Sequence, residues 1–357
     1  MRKGRVLLAA MLGLLATGSR ADPVASPDPV LDPFFAAEQG DTRAVLILDD
    51  GRVVARRYGP GYSDANRFIS WSMNKTLTAM LVGALVADGR LRLDAPAPVA
   101  EWRGAGDARG EITLRHLLTM SSGLRHIEVG EPIEHSDTNQ VLFVGGTRDM
   151  AARAIARPLE SRPGEKFEYS SLTSIILAEI VTRTLTPSRD PRTRAEAYRR
   201  FATARVLAPA GIRSAFLEFD GAGTQVGGSL LHMTLPDWGR FGTLLLDGRG
   251  LAGLPVVAPD WLAFMKTSAA TNPGYGGQTW LNRARAGLTP MFPGAPATVA
   301  SAEGHLGQHV TVSPDSGTGR GVVIVRLGNT RETGSRVGHR LIGRTLARHF
   351  ARGGPRS

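Results

Sequence analysis

The chain has 357 residues, a formal net charge of +11 at pH 7 and no cysteine, which excludes disulfides, thiol chemistry and a cysteine-linked lipid anchor. Its basic residues are nearly all arginines scattered along the sequence, so we expect no nucleic-acid partner. A chain of this length can bury one large core, or the cores of two closely packed subdomains.

The first residues indicate export. Basic residues near the start precede an apolar run over 6–17, and small residues around Arg20 suit cleavage by a signal peptidase. The run is too short to span a bilayer as a mature helix, and no second long apolar segment follows it. We therefore expect removal of residues 1–21, leaving a net charge of +7 and a periplasmic or secreted protein without stable membrane insertion.

Strand patterns come first in the mature chain. The segment RAVLILDDGRVVARRYG alternates around an Asp-Gly dipeptide that suits a tight hairpin turn, which predicts antiparallel strands over about 43–49 and 52–58. From Met73 onward apolar residues recur at helical spacing until Gly89, which suits a left-handed cap. Because apolar residues occupy most faces of this helix, it should be central and buried.

The middle of the chain is mostly helical. Helical periodicity follows Thr113, covers 149–157 and 171–185, and resumes after Thr234. Asp237 completes a capping-box pattern with Thr234. The loop over 126–146 is punctuated by glycine and proline and is long enough to be functional.

The C-terminal part returns to strands. GQTWLNR is predicted as one strand and GQHVTVSPDSGTGRGVVIVRLGN as a hairpin, followed by a helix over about 335–351. The glycines of DSGTGRG join two strands and precede no helix, so a hairpin turn is favoured over a phosphate-binding loop.

Strands at both ends and a helical middle predict an α+β fold. We expect an antiparallel sheet built from both termini and flanked by helices, with a mostly helical inserted subdomain. The predicted unit is one catalytic domain over 22–357, with a sheet subdomain at about 42–72 and 290–351 and a helical subdomain at about 73–289. A crevice between such parts is a common place for an active site.

Ser72 and Lys75 lie three residues apart where the strand-like pattern changes to the helical one. At a helix start the Ser72 amide suits a developing oxyanion, and Lys75 lies one turn further on the same face. Serine is a weak nucleophile without a base, and burial can lower the pKa of a lysine enough to provide one. Since only four of the 43 basic residues are lysines, Lys75 indicates proton chemistry; an ordinary surface lysine is the alternative.

Two further segments can complete a site with this pair. Tyr169 comes just before a strongly apolar helix, where a loop tyrosine can share protons with a serine and a lysine. The triplet His305-Leu306-Gly307 is predicted to begin a strand, and its glycine lets backbone come close to a ligand. The amide of Gln308 can then complete an oxyanion hole.

The order of these motifs resembles that of the serine β-lactamase and penicillin-recognising superfamily, which has a β-lactamase/transpeptidase-like fold. The class C-like branch with family VIII esterases and 6-aminohexanoate-dimer hydrolases is the more similar one. Supporting segments are ITLRHLLTMSSGL, PGEKFEYSS, GGSLLHMTLPDWGRFGTLLLDG and GHLGQHVTVSPDSGTGRGVVIVRLGN. The similarity extends over about 42–347 with the motifs in the expected order.

The resemblance implies roles for the motif residues. Ser72 is the acylated nucleophile, Lys75 its base and Tyr169 the second proton-transfer group. The amides of Ser72 and Gln308 bind the oxyanion. Five further residues are expected to lie close to the substrate: Ser171, His305, Gly307, Trp71 and Trp280.

Two departures from the family pattern affect the substrate. His305 stands where β-lactamases have a lysine that holds the substrate carboxylate, and an imidazole offers no permanent charge near pH 7. Ser171 stands where many members have an amide side chain. Recognition of a carboxylate and of a substrate amide should both be weaker.

Other candidate residues favour structural roles. His305 and His309 have i, i+4 spacing, but on a loop and strand this spacing does not converge two imidazoles, so we expect no metal and no cofactor. His116 falls inside a leucine-rich helix and is interpreted as structural. His126 and Glu128 can contact substrate, although an ordinary polar loop is favoured. For Trp238 and Trp261 core packing is expected.

We therefore expect an exported serine hydrolase that cleaves a small-molecule ester or amide through an acyl-enzyme. The alternatives are a β-lactamase or D-alanyl carboxypeptidase, and a ligand-binding or sensor domain without turnover on the same scaffold. The absence of a G-x-S-x-G motif removes the α/β-hydrolase alternative. Nothing in the pattern indicates the natural substrate or the oligomeric state.

Overall fold

The computed structural model describes residues 29–284, 289–314, 319–330 and 332–352. The predicted export signal over 1–21 lies outside the described residues, as does part of the predicted glycine-rich turn. Within the described ranges, no helix combines the length and the apolar character needed to cross a membrane.

The strands form a large and a small antiparallel sheet. Over the described ranges the large sheet has the order β2-β1-β9-β8-β7-β6 and the small sheet the order β3-β5-β4. The strand bounds are β1 Asp41–Asp49, β2 Arg52–Tyr58, β3 Phe68–Ile69, β4 Phe216–Leu217, β5 Leu231–Met233, β6 Trp280–Leu281, β7 Ala300–Gly304, β8 Gln308–Ser313 and β9 Val322–Asn329.

The helices flank the large sheet and fill the middle of the chain. Their bounds are α1 Asn74–Ala87, α2 Leu114–Leu118, α3 Asp137–Phe143, α4 Met150–Ile155, α5 Ser171–Leu185, α6 Pro191–Ala202, α7 Leu235–Asp247, α8 Pro259–Met265 and α9 Glu332–Arg352.

The first hairpin has the predicted turn. Asp50 and Gly51 both have positive φ, 50° and 79°, as a two-residue hairpin turn requires. On its other edge β1 pairs antiparallel with β9, from Asp41 opposite Asn329 to Asp49 opposite Val322. The two ends of the chain therefore build the centre of the sheet together.

The large sheet separates two hydrophobic cores. Along β1, Ala44, Leu46 and Leu48 belong to the larger core, which α1, α5 and α7 share, while Val45 and Ile47 face the smaller core under α9. This alternation follows from the two-residue period of a strand. It confirms an α+β fold with helices on both faces of an antiparallel sheet.

Helix α1 is the buried central helix that its sequence predicts. A Cβ on Gly83 would lie 2.2 Å from the Trp261 ring, and the Trp261 indole donates a hydrogen bond to the Ala79 carbonyl at 3.0 Å. Trp261 and Trp238 are buried in the core, as expected.

Some local predictions need correction. The hydroxyl of Thr234 does not cap α7; it lies 3.1 Å from the Ser214 hydroxyl, and Asp237 accepts hydrogen bonds from the backbone of Arg213 and Ser214. The predicted capping box is therefore wrong, because the carboxylate holds a neighbouring turn. Strand β6 confirms the strand predicted in GQTWLNR, although it has only two residues. It joins the large sheet, while the sequence assigns its range to the helical subdomain.

His116 has the structural role that was predicted for it. It is the third residue after Thr113, which caps α2, and its ring nitrogen accepts a hydrogen bond from the Thr113 amide at 3.2 Å. The Thr113 hydroxyl accepts from the His116 amide in return, so the two residues form a reciprocal cap.

Candidate active site

Ser72 lies in a short 3-10 turn, Trp71–Met73, that leads directly into α1. Trp71 has a positive φ of 43°, which is unusual for a residue with a large side chain. This strained position turns the chain from β3 into the helix and leaves Ser72 partly exposed above the buried first turn. The serine therefore stands at a helix N-terminus, as its sequence predicts.

Lys75 is buried beneath Ser72, with 1% of its surface exposed. Its ammonium group donates to the Ser72 hydroxyl at 2.9 Å, to the Ser171 hydroxyl at 2.9 Å and to the Gly228 carbonyl at 3.0 Å. All three protons of the ammonium therefore have acceptors. One of those acceptors is the predicted nucleophile.

Burial lowers the pKa of Lys75 to about 8, and the charge of Glu128 opposes this shift. At pH 7 about a tenth of the lysine is then neutral, and at pH 8 about half. A neutral amine in this position can accept the Ser72 proton, which an arginine in its place could not.

Glu128 is connected to Lys75 through the Ser171 hydroxyl. The Ser171 amide and hydroxyl donate to its two carboxylate oxygens at 2.7 and 2.6 Å, and the Thr138 hydroxyl donates at 2.8 Å. His126 lies 2.6 Å from the same carboxylate. Ser171 is therefore a relay that accepts from Lys75 and donates to Glu128.

The Glu128 carboxylate stays ionised at neutral pH. Burial alone would raise its pKa, but the His126 hydrogen bond, the Lys75 charge and the Ser171 hydroxyl together lower the pKa to about 2. The sequence favours an ordinary polar loop at His126 and Glu128, and the structure differs, because both side chains join the network around Lys75. The one available signal was the length of the loop over 126–146, which indicated a functional segment without naming the residue.

Tyr169 lies over the same pair. Its ring centroid is 4.9 Å from Lys75 Nζ. Burial and the charge of Glu128 raise the pKa of Tyr169 above the ordinary value, while the nearby Ser72 hydroxyl opposes this. Tyr169 is therefore a neutral phenol near pH 7 and can donate a proton, not remove one.

An aromatic wall supports Tyr169. The Trp280 ring stacks on it with centroids 5.4 Å apart and an interplanar angle of 29°, and Tyr275 contacts it edge-on at 6.0 Å. On the other side of the serine, the Trp71 ring meets His305 edge-on at 5.5 Å and Phe143 at 6.3 Å. Both predicted tryptophans thus belong to the walls beside Ser72.

The segment from His305 to Gly307 is the turn between β7 and β8, and the strand begins only at Gln308. This corrects the prediction that the triplet begins a strand. A Cβ on Gly307 would lie 2.6 Å from the Arg326 guanidinium, so the glycine makes room for that side chain. Its role toward substrate stays a prediction.

The start of this turn lies against the nucleophile. A Cβ on Gly304 would lie 2.2 Å from the Ser70 carbonyl oxygen, so β7 and the serine turn are in close backbone contact. Gln308 pairs with Gly304 across the hairpin, and its buried side chain donates to the Gly328 carbonyl at 2.7 Å. The oxyanion role of the Gln308 amide stays a prediction.

The chain matches the family described as Beta-lactamase over residues 31–347. A 6-aminohexanoate-dimer hydrolase from Paenarthrobacter ureafaciens is 27% identical over 282 residues, covering 73% of this chain and 69% of that protein. A solved structure from Bacillus anthracis, assigned as a 6-aminohexanoate-dimer hydrolase, gives a TM-score of 0.70 at 20% identity and covers 90% of this chain and 81% of its own. A penicillin-binding protein homologue from Caulobacter crescentus gives 0.62 at 18% identity, covering 89% and 96%.

The structural matches are too dissimilar in sequence to carry more than the fold, and they confirm the β-lactamase/transpeptidase-like architecture. The family match spans nearly all of the described chain and confirms the resemblance stated from the motifs. The protein belongs to the β-lactamase family and is a serine hydrolase of that type.

Proposed function

We propose that the protein is an exported hydrolase that cleaves small-molecule esters or amides through an acyl-enzyme on Ser72. One observation carries the proposal: the Lys75 amine, with a pKa of about 8, lies 2.9 Å from the Ser72 hydroxyl. A nucleophile within hydrogen-bond reach of a base that can be neutral at working pH is the minimum needed for acyl transfer.

In the first half of the reaction, neutral Lys75 takes the Ser72 proton while Oγ attacks the substrate carbonyl carbon. The negative charge on the former carbonyl oxygen is stabilised by the backbone amides of Ser72 and Gln308. As the tetrahedral intermediate collapses, the bond to the leaving group breaks. The leaving group takes a proton from Tyr169, whose phenol regains one from the Lys75 ammonium.

In the second half, water replaces the leaving group. Lys75, neutral again because its ammonium has passed a proton to Tyr169, can accept a proton from the attacking water directly or through Tyr169, which hands one proton on as it takes the other. The acyl carbon then separates from Ser72 Oγ as the carboxylic acid, and the serine regains its proton. Glu128 takes no proton in this sequence, because its pKa of about 2 keeps it a carboxylate.

Short acyl esters are the proposed preferred substrates, and linear amides are the next class. An ester needs the nucleophile and the oxyanion donors, whereas a β-lactam or D-alanyl substrate also carries a carboxylate that the family binds with a lysine where this chain has His305. Losing a charge-assisted contact costs about 1.5–3 kcal/mol, or roughly ten- to a hundredfold in kcat/KM. The relative named as a 6-aminohexanoate-dimer hydrolase supports the amide class, because two amino acids join through an amide bond.

A β-lactamase or D-alanyl carboxypeptidase is the competing enzyme, and the penicillin-binding protein homologue supports it through fold alone. A binding or sensor domain without turnover is less consistent with the site. A pure binder has no use for a buried lysine whose pKa is about 8 beside a serine hydroxyl.

The substrate class is tested by comparing p-nitrophenyl acetate and butyrate, linear amino-acid amides, and a penicillin with a cephalosporin at pH 7. We expect kcat/KM for the esters to exceed that for either β-lactam, with the amides between them. A β-lactam preferred over the esters would favour the competing enzyme. Mass spectrometry after exposure to a fluorophosphonate should show one adduct on Ser72. If neither an adduct nor turnover is detected, the protein is better explained as a ligand-binding or sensor domain.

Export is proposed from the pattern of residues 1–21 alone. Expression of the full chain in a Gram-negative host, followed by fractionation and N-terminal sequencing, tests it. We expect the mature protein in the periplasm or medium with its N-terminus close to Asp22. Recovery of uncleaved protein in the cytoplasm would contradict the proposal.

A further inference from the structure

A second cluster of ionisable side chains lies on the α9 side of the sheet. Glu303 from β7, His309 from β8 and His339 from α9 converge there. One carboxylate oxygen of Glu303, Oε2, is 2.7 Å from His309 Nδ1 and 2.7 Å from His339 Nε2. The three ligand-type atoms lie within 4.8 Å of one another.

The fold brings these residues together for a simple reason. Glu303 and His309 are directly opposite in the register of the β7–β8 hairpin, so their side chains share a face of the sheet. Helix α9 covers that face and contributes His339, whose ring meets the His309 ring at 5.0 Å. The cluster thus connects the hairpin to the last helix of the chain.

The cluster is buried and supported by its surroundings. His309 is 2% exposed, and Phe292 packs edge-on against His339 at 5.1 Å. The Ser301 hydroxyl donates to the other carboxylate oxygen of Glu303 and also lies 2.9 Å from the Thr311 hydroxyl. Outer partners of this kind fix the orientation of metal-binding side chains.

We propose that Glu303, His309 and His339 form a binding site for Zn²⁺ that ties α9 to the β7–β8 hairpin. Two imidazoles and one carboxylate are a ligand set of zinc sites with three protein ligands and one open position. Nothing in the proposed hydrolase mechanism uses these residues. The cluster therefore has no member in common with the proposed catalytic residues, although the charge of Glu303 contributes to the raised pKa of Tyr169.

The geometry needs only small adjustment to accept the ion. Tetrahedral ligands at zinc distances lie about 3.4 Å apart, so the two contacts of 2.7 Å must each open by less than about 1 Å. In the metal-bound form each imidazole would carry its one proton on the ring nitrogen remote from Glu303, so that the nitrogen facing the carboxylate binds the metal. His339 has the freedom to move, since it is only partly buried.

The open position of the ion is accessible from a cavity of about 640 Å³ that His339 lines together with Trp280, Arg336 and Arg340. The arginines favour water or a small anion as the fourth ligand rather than a second cation. Arg326 is opposite His309 in the register of β8 and β9, but its guanidinium is bonded to carbonyls such as that of Gly307 at 2.7 Å. The positive charge of Arg326 repels a bound cation and so lowers the affinity of the site, but its side chain does not fill the site.

The consequence of metal binding concerns the hairpin that reaches the active site. The turn between Glu303 and His309 includes His305, which contacts Trp71 beside the nucleophile. A metal that joins this hairpin to α9 would hold the turn against the serine. The main expected effect is therefore stabilisation of the folded protein, with a smaller effect on the site.

The test uses tag-free mature protein that has been treated with a chelator and dialysed. Addition of Zn²⁺ should show one equivalent bound by calorimetry and raise the melting temperature by several degrees, while Co²⁺ should produce the visible absorption of a low-coordinate site. His339→Ala and Glu303→Gln should weaken Zn²⁺ binding by at least about 100-fold, since loss of an outer partner alone costs about 10- to 100-fold.

A matched control exists in the small sheet. His232 lies 2.7 Å from Glu218. Among the residues that the structure describes, this pair belongs to no group of three possible metal ligands. His232→Ala should therefore leave the binding of Zn²⁺ and Co²⁺ unchanged. His339→Ala removes a partly buried helix residue and should fold even where a change at buried His309 does not.

Each result decides the proposal. Wild-type protein that binds no equivalent of Zn²⁺, or that gives Co²⁺ only the spectrum of the hydrated ion, would show that the cluster is a hydrogen-bonded network alone. Binding that survives in folded His339→Ala and Glu303→Gln at wild-type affinity would place the metal elsewhere and overturn the assignment. Ester hydrolysis need not be measured for either outcome, so failure here leaves the proposed hydrolase function intact.

Discussion

Burial lowers the pKa of Lys75 and the pKa of Lys266 to about 8, and in each case a nearby carboxylate opposes the shift. Their contacts differ. Lys75 donates to the Ser72 and Ser171 hydroxyls at the start of α1, whereas Lys266 donates to the Leu246 carbonyl at 2.7 Å near the end of α7. The same change in acidity therefore serves chemistry in one place and helix termination in the other.

The comparison shows that a lowered pKa alone does not locate an active site. What distinguishes Lys75 is a partner that can become a nucleophile and a carboxylate, Glu128, connected through Ser171. Lys266 has a backbone carbonyl, which has no proton to give. Substitutions at the two lysines and at their partners test this difference directly.

Ser72→Ala should abolish covalent labelling and turnover, because it removes the nucleophile and leaves the fold with one hydroxyl fewer. Fluorophosphonate labelling and p-nitrophenyl butyrate hydrolysis measure the result. Ser63→Ala, at an exposed position, is the control and should behave like wild type. Hydrolysis near the wild-type rate in Ser72→Ala would sink the assignment.

Lys75→Arg should be almost as damaging as Lys75→Ala, with a loss of about 10²- to 10⁴-fold in kcat, since a permanent cation cannot accept the serine proton. The matched change Lys266→Arg keeps a donor for the Leu246 carbonyl and should retain most of the activity. If Lys75→Arg kept most of its kcat, the lysine would act through its charge alone.

Glu128→Gln should lower kcat/KM by about ten- to a hundredfold, the cost of a lost charge-assisted hydrogen bond. It should also shift the pH profile. The Glu128 charge raises the pKa of Lys75, so its removal lowers that pKa and moves the acid limb of kcat/KM below its wild-type midpoint of about 8.

The pH profile separates this role from a structural one. Exposed Glu134 lies in the same loop, and Glu134→Gln should leave both rate and midpoint unchanged. A Glu128→Gln enzyme that is slower but keeps the wild-type midpoint would show that Glu128 only supports the loop.

The smallest expected effect is on stability. The pKa of Lys75 is about 8 when folded and about 10.4 when unfolded, so between these values the unfolded chain binds more protons and stability rises with pH. Relative to Lys75→Met, the free energy of unfolding of the wild type should rise by about 1 kcal/mol per pH unit between pH 8 and 10. Below pH 7 the difference in free energy between the two proteins should be constant. Urea unfolding at several pH values measures this. An equal difference at all pH values would mean that the pKa of Lys75 is not lowered.

Much of the fold was predictable because its signals are local. The first hairpin follows from an Asp-Gly turn between alternating strands, and α1 and α5 follow from apolar periodicity. The predicted capping box at Thr234 does not form, because the Asp237 carboxylate accepts from the Arg213 and Ser214 amides, which lie 24 and 23 residues earlier in the sequence but beside it in the fold. Propensity is overridden where tertiary contacts offer better partners.

The candidate site was predictable in part. The hydrogen bond between Ser72 and Lys75 requires only a helix, because residues three apart lie on the same face. Tyr169 and His305 were placed near this pair through the resemblance of their motifs, and the structure brings both close to Ser72, though their chemical roles remain predictions.

The contact between Ser72 and Lys75 follows from local sequence, since one turn of helix is enough to bring the two side chains together. The folded chain is needed to establish that Glu128, 43 residues before Ser171 in the chain, bonds to that serine and stays ionised beside a buried lysine. It also decided that Glu303, His309 and His339 meet across a hairpin and a helix. The physical reason is that pairings between distant residues, and the low dielectric that makes them strong, exist only when the whole core has closed around them.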